Sequence, residues 1–456
     1  MKKNPQQNQQ KSLQKDAVNK AKPSLNFRIN GGKTLKGNIK VRTSKNGAVG
    51  IMCASLLNKG KTTIKNAPKI EEVFRIIEVL NSIGVKTIWE KDDLIIIPSK
   101  KLEINKINRI SAERTRSCIM LIGSLIHSYK HFKIPQAGGC RLGSRTVKPY
   151  LYALDRLGVK IDTKSTYYDV SHDGLKPSEI IMYEAGDTVT ETAIMAASLI
   201  QGETTLKFAS ANYQVQDICF YLEMLGVKIQ GIGTSTLKIS GIKEINQDIE
   251  YALGEDPIEA MSLITAAIVT NSNITIERCP IDFLELELLK LEKMGFKYKI
   301  LKRYKGLNGQ VNLVDIETKK STLSALPDKI HAQPYPGINM DNLPFFVAVG
   351  AIAYGQSFIH DWVYEERAIY YKEIEKLGAE VILADPHRFY IKGPTLWKKA
   401  DITCPPALRP SVVIMICMLA VPGECILRNV YNINRGYEDL AFRLNKIGAD
   451  IEIFEE

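Results

Sequence analysis

A chain of 456 residues is longer than one ordinary hydrophobic core organises, so two domains of about 200 residues each are expected. With 45% hydrophobic and 24% charged residues it has the composition of a soluble globular protein, and no run reaches the roughly 18 unbroken apolar residues of a membrane span. The formal charge of +11 invites a nucleic-acid partner, yet +5 of it sits in residues 1–25 (six lysines, one aspartate) and the rest has no dense basic run.

Residues 1–25 are rich in Gln, Asn and Lys, with no apolar core or small-residue cleavage site. They read as a disordered basic leader and not as a secretory signal. Eight cysteines without a CxxC pair point to reduced thiols and a cytoplasmic setting. Past the strand GNIKVR comes Thr43-Ser44-Lys45-Asn46, a polar stretch entering an apolar helix; a lysine there can meet a phosphate together with free backbone N–H groups.

From this point one phrase recurs six times: a helix ending in a Leu-x-x-x-Gly-like turn, then a short alternating strand. The turn glycines are Gly84, Gly158, Gly226, Gly295, Gly378 and Gly448, spaced 68 to 83 residues apart. Each stands where a helix C-terminus calls for a left-handed residue. A very apolar helix and a strand precede each copy, as in AIMAASLIQGETTLKFAS; the copy at 119–138 is the loosest. The run Val412–Val421 reads as one of these buried helices, and the Ala, Ser and Gly they carry let neighbours approach closely. Units of this size suit two pseudo-threefold domains, with a break near the turn-like Gly254-Glu255. The boundaries expected are 1–25 for the leader, 46–254 for units 1–3, and 26–45 plus 255–456 for units 4–6. A cleft between two such lobes is a usual place for a small-molecule site.

Three further places carry chemistry. Pro135 to Arg145 puts three glycines around Cys140, with Arg141 and Arg145 lowering the thiol pKa and attracting anions. Pro334-Tyr335-Pro336-Gly337 leads to Asp341 at the entry of a buried helix, where a carboxylate serves either as an N-cap or as a base toward a substrate hydroxyl. Arg116, Arg367, Arg409 and Arg435 stand at loop-to-helix junctions, and arginine forks suit planar carboxylate and phosphate groups. HExxH, GxGxxG and GxxxxGK[ST] are absent, so neither a metal nor a nucleotide cofactor is expected.

Together the sixfold pattern, Ser44-Lys45-Asn46, the Gly-Gly-Cys140 loop, Pro-Tyr-Pro-Gly followed by Asp341, and Arg435-Gly-Tyr-Glu resemble the UDP-N-acetylglucosamine enolpyruvyl transferases from about Phe27 onward. The resemblance implies an α/β (α+β) fold, a two-domain inside-out α/β barrel of six βαβαββ-type units. It also implies transfer of the enolpyruvyl group of phosphoenolpyruvate to the 3-hydroxyl of UDP-N-acetylglucosamine, the first committed step of peptidoglycan synthesis. By motif, Lys45 and Asn46 match the phosphoenolpyruvate-contacting pair, Cys140 the general acid, and Asp341 the carboxylate near the reacting hydroxyl. Arg116 and Val363 match sugar-site positions, and Arg145 the loop arginine. Arg367, Arg409 and Arg435 match the arginines that hold carboxylate and phosphate. Phosphoenolpyruvate and UDP-N-acetylglucosamine are the partners implied, with no membrane and no nucleic acid; a monomer is expected. The chain departs from the family at Thr146–Tyr150, where the uridine is met, at Glu184–Thr188, where the diphosphate is met, and at Ala407 in place of an aspartate. Those changes keep open a second reading with another nucleotide sugar or shikimate 3-phosphate as acceptor. A third reading, from the basic charge, is a nucleic-acid-binding protein.

Overall fold

The computed structural model describes residues 25–136 and 146–456. Six small sheets are formed among them, and five repeat one pattern: a parallel pair followed by two antiparallel strands. In the unit around Gly226, Glu179–Ile181 runs parallel to Gly202–Lys207, which pairs antiparallel with Thr236–Gly241, itself antiparallel to Lys228–Gln230. The sixth sheet, His131–Pro135 with Tyr167–His172 and Val159–Thr163, is wholly antiparallel and three-stranded. All six turn glycines adopt positive φ, between 93° and 106°. A side chain there would be strained, so glycine sets where each helix stops and its strand begins.

The sheets lie outside and the most apolar helices inside. In one lobe Lys45–Ala54, Leu121–Leu125 and Asp187–Ser198 pack against one another; in the other Pro257–Val269, Phe345–Ile352 and Leu408–Ala420 do the same. All thirteen residues of Pro257–Val269 and twelve of the thirteen in Leu408–Ala420 are buried. Each Leu- or Ile-sized side chain so removed from water contributes roughly 1.5–3 kcal/mol. Small residues allow the close approach: a Cβ on Gly123 would stand 2.5 Å from the Thr192 carbonyl oxygen of the neighbouring helix.

The segment that leads into the loosest repeat copy (119–138) is broken in the structure. It divides into Arg109–Arg114, a 3-10 turn Arg116–Met120, and Leu121–Leu125. The break falls at Thr115, whose hydroxyl caps Ser117 and donates to the buried Glu72.

There are two separate hydrophobic cores in this two-domain α/β fold. One draws on residues 48–253, the other on residues 27–41 and 258–451 together with Tyr213. Three sheets are completed by strands distant in sequence. Leu25–Gly31 lies between Gly423–Arg428 and Ile451–Glu455, Lys36–Lys40 pairs with Asn273–Glu277, and Ile249–Ala252 pairs with Thr62–Lys65. The chain passes between lobes twice, and the passages run side by side: Thr43 bridges Glu255, Ser44 N–H donates to the Gly254 carbonyl and Asp256 N–H to that of Arg42.

Candidate active site

A cavity of about 590 Å³ lies between the lobes. Lys45, Asp187, Ile258, Leu408 and Arg409, from the first turns of four buried helices, line it, as does Arg116 before a fifth. Helix N-termini carry partial positive charge and unpaired N–H groups, so their convergence favours an anion before any side chain is counted.

Asp341 stands at the centre of the polar wall. Its loop is pinned by Glu287, whose carboxylate accepts from Asn339 N–H (3.0 Å) and Asn342 Nδ2 (2.9 Å). Gly337 is required in that loop, because a Cβ would fall 2.4 Å from the Gln333 Cβ. Asp341 does not take the N-cap role: Pro344 occupies that position before Phe345–Ile352. Its oxygens instead face two arginines, Arg409 and Arg367. Burial alone would push this carboxyl up, but Arg409 and Arg367 outweigh it and hold it below the usual carboxylate range.

Both arginines are held from behind. Arg367 is 1% exposed and makes a two-pronged contact with the buried Asp361, Nε to Oδ2 at 2.6 Å and Nη2 to Oδ1 at 2.7 Å. Tyr371 donates to the same carboxylate at 2.6 Å. Among the described residues the buried Nη1 of Arg367 finds no hydrogen-bond partner. Arg409 donates from Nη1 to the Tyr437 hydroxyl at 2.9 Å. Planar guanidinium groups so fixed lose little freedom on meeting a carboxylate or phosphate.

From the other lobe, Ser44 caps the helix that begins at Lys45, accepting from Gly47 N–H at 2.9 Å, and this sets Lys45 and Asn46 on the cavity wall. Burial lowers the Lys45 ammonium pKa, and neighbouring Glu72 partly offsets the effect. Asn46 donates to the Tyr213 hydroxyl at 2.9 Å. Arg435 reaches across the cleft to Glu72, Nε to Oε2 at 3.1 Å. Arg116 donates to the Thr146 carbonyl at 3.3 Å, and Val363 supplies an apolar part of the wall.

Lys45, Asn46, Arg116, Asp341, Val363, Arg367, Arg409 and Arg435 therefore line one cavity. Cys140 and Arg145 lie outside the described residues. Sequence reasoning missed Glu72, Asp187, Tyr213, Asp361 and Tyr437. Two of them left a trace: Asp187 as one of the acidic residues in the altered Glu184–Thr188 segment, and Tyr437 as the tyrosine of Arg435-Gly-Tyr-Glu. Ala407, the third departure, is fully buried and starts the helix Leu408–Ala420 without a side-chain cap.

The EPSP synthase (3-phosphoshikimate 1-carboxyvinyltransferase) family model matches residues 29–444. The UDP-N-acetylglucosamine 1-carboxyvinyltransferase of Treponema denticola is 31% identical over 432 residues, 94% of this chain and 99% of that protein. The enzyme of the same name from Dichelobacter nodosus is 30% identical over 94% of this chain and 99% of its own length. Among solved structures, the enolpyruvyl transferase NikO from Streptomyces tendae superposes with a TM-score of 0.83 at 23% identity, covering 95% of this chain and all of that one. The EPSP synthase of Acinetobacter baumannii does so with a TM-score of 0.74 at 17% identity over 94% of this chain and all of that one. A match of this extent means that the chain belongs to the EPSP synthase family of enolpyruvyl (1-carboxyvinyl) transferases.

Proposed function

We propose that this enzyme transfers the enolpyruvyl group of phosphoenolpyruvate to the 3-hydroxyl of UDP-N-acetylglucosamine and releases phosphate, the first committed step of peptidoglycan synthesis. The observation that carries this reading is one ionised carboxylate, Asp341, set among Lys45, Arg367, Arg409 and Arg435 in a cavity between two lobes. The four cations suit a small donor carrying a carboxylate and a phosphate. The curated relatives supply the acceptor by name.

In the addition step the acceptor oxygen bonds to C2 of the donor while its proton passes to Asp341, and C3 gains a proton from Cys140. In the elimination step the C3 proton passes back to the Cys140 thiolate, the C2–O bond to phosphate breaks, the double bond re-forms, and the proton held by Asp341 leaves with the phosphate. Lys45, Arg409 and Arg435 hold the donor's charge throughout, and Arg367 backs the carboxylate. Arg116, Arg145 and Val363 serve the sugar and nucleotide. Closure of the lobes around residues 41–45 and 252–257 would exclude water from the ketal intermediate. The enzyme acts as a monomer in the cytoplasm. No helix among the described residues is long and apolar enough to cross a membrane.

The test is phosphate release from phosphoenolpyruvate with UDP-N-acetylglucosamine, run beside shikimate 3-phosphate and beside the Cys140→Ala variant. Release that depends on the UDP-sugar and collapses in the variant supports the assignment. Release with shikimate 3-phosphate alone overturns the acceptor, and release with neither overturns the activity.

A further inference from the structure

Away from Lys45, Arg367, Arg409 and Arg435, the cavity wall includes Glu184–Thr188, Tyr150, Asn212 and Gln214. Asp187 opens the helix Asp187–Ser198 at this wall, where its charge would oppose an anionic substrate. The structure turns that charge inward. Its carboxylate accepts from Ser210 Oγ at 2.5 Å, Asn212 Nδ2 at 3.0 Å and Gln214 Nε2 at 3.1 Å. Three neutral donors thus converge on two oxygens, Ser210 and Asn212 from the connection that leads into the helix Tyr213–Met224 and Gln214 from its first turn.

The alternation through this helix entry is informative. Residues 210, 212 and 214 face Asp187, whereas Tyr213 faces the other way. Its hydroxyl accepts from Asn46, and its ring packs edge-on against Phe283 of the opposite lobe at 5.9 Å. A second tie joins the same pieces, Ser210 N–H to Thr190 Oγ1 at 3.0 Å. The next side chain of the turn, Thr188, is hydrogen-bonded to the Tyr150 hydroxyl, and Tyr150 lines the cavity beside Arg116. Asp187 therefore holds the 184–188 turn to the Asn212–Gln214 row and keeps Thr188 against Tyr150.

We propose that Asp187 is a positioning residue for the acceptor: held by Ser210, Asn212 and Gln214, it fixes the 184–188 turn and so sets how a nucleotide-sugar acceptor seats in this half of the cavity. This rests on the functional reading above, since it takes the cationic half as the donor's. Asp187 touches neither reacting atom. It acts through the turn, so its loss falls on acceptor affinity and spares the donor.

The experiment is steady-state kinetics of the full chain with both substrates varied, for wild type, Asp187→Ala, Asp187→Asn and Gln214→Ala. Asp187→Ala is expected to raise the KM for UDP-N-acetylglucosamine about tenfold or more, with the phosphoenolpyruvate KM changed by less than about twofold. Gln214→Ala removes one donor of three and is expected to raise the acceptor KM by about threefold, serving as the test if Asp187→Ala does not fold. Asp187→Asn should fall between, because one amide oxygen still accepts and the Gln214 amide can flip. Equal rises in both KM values, or a loss confined to kcat, overturn the proposal. A wild-type protein inactive with UDP-N-acetylglucosamine would instead defeat the functional reading. UDP binding by calorimetry then decides the inference: no binding to the wild type, or a Kd unchanged in Asp187→Ala, overturns it.

Discussion

Arg409 donates to a single oxygen of Asp341 with two of its nitrogens, Nε at 3.2 Å and Nη2 at 3.0 Å, while Arg367 Nη1 lies 3.6 Å from the other oxygen. The carboxylate is thus the counter-ion of the arginines that a donor anion would meet. Asp341→Asn should lower kcat by roughly a hundredfold or more, the usual contribution of a positioned base. The same change leaves the two guanidinium groups short of negative charge, so inorganic phosphate should raise the melting temperature of Asp341→Asn more than that of the wild type. Phosphate-release kinetics and thermal melts with added phosphate check the pair of outcomes; an equal phosphate shift would refute the counter-ion role.

Asp361 is fully buried and pairs with a guanidinium that is 1% exposed. Removing one member of such a pair leaves an uncompensated buried charge. Asp361→Ala should therefore destabilise the fold by about 3–5 kcal/mol, seen as a lower urea midpoint. A loss under about 1 kcal/mol would mean that Arg367 finds another partner, with Asp341 the nearest.

Burial lowers the Lys45 pKa, and Glu72 raises it part of the way back. If the ammonium binds the donor, the alkaline limb of kcat/KM reports its titration in the free enzyme and lies below the usual lysine value. Lys45→Arg stays charged and should shift that limb upward. Glu72→Gln withdraws the supporting charge and should shift it downward. A limb that moves in neither variant belongs to another group.

Burial pushes His127 down to about 4, outweighing the Met195 and Ala196 carbonyls that favour its charged form. The unfolded chain takes up this proton near the ordinary value and the folded one does not. Stability should therefore fall as pH drops from about 6.5 toward 4, by on the order of 3 kcal/mol. His127→Leu should flatten that acid slope. Urea melts across the interval measure it, and parallel slopes would exclude His127 as the cause.

The periodic part of the molecule was legible because each repeat states its own rules locally. A glycine ends the helix, alternation marks the strand, and an unbroken apolar run marks the buried helix; the six positive φ values follow from the first of these alone. The cavity was legible through motif: Lys45 and Arg409 lie 364 positions apart, and only the resemblance joined them. What stayed hidden depends on long-range pairing. Glu72 and Asp361 look like surface carboxylates on amphipathic segments until Arg435 and Arg367 are placed against them. Asp187 showed only as part of the departure at Glu184–Thr188, because nothing local announces three donors arriving from residues 210–214.

The strand Leu25–Gly31 pairs with Gly423–Arg428, so Phe27 meets Leu427 across 400 positions of chain. During synthesis the strand leaves the ribosome about 400 residues ahead of its neighbour. At about 5–20 residues per second it waits roughly 20–80 s for a partner. The lobe built from residues 48–253 is complete well before then. Folding in the cell is thus ordered by translation, the inner segment of the chain first. The early strand stays an open edge through that interval, exposed to the chaperones that cover unpaired edges and to other nascent copies of itself.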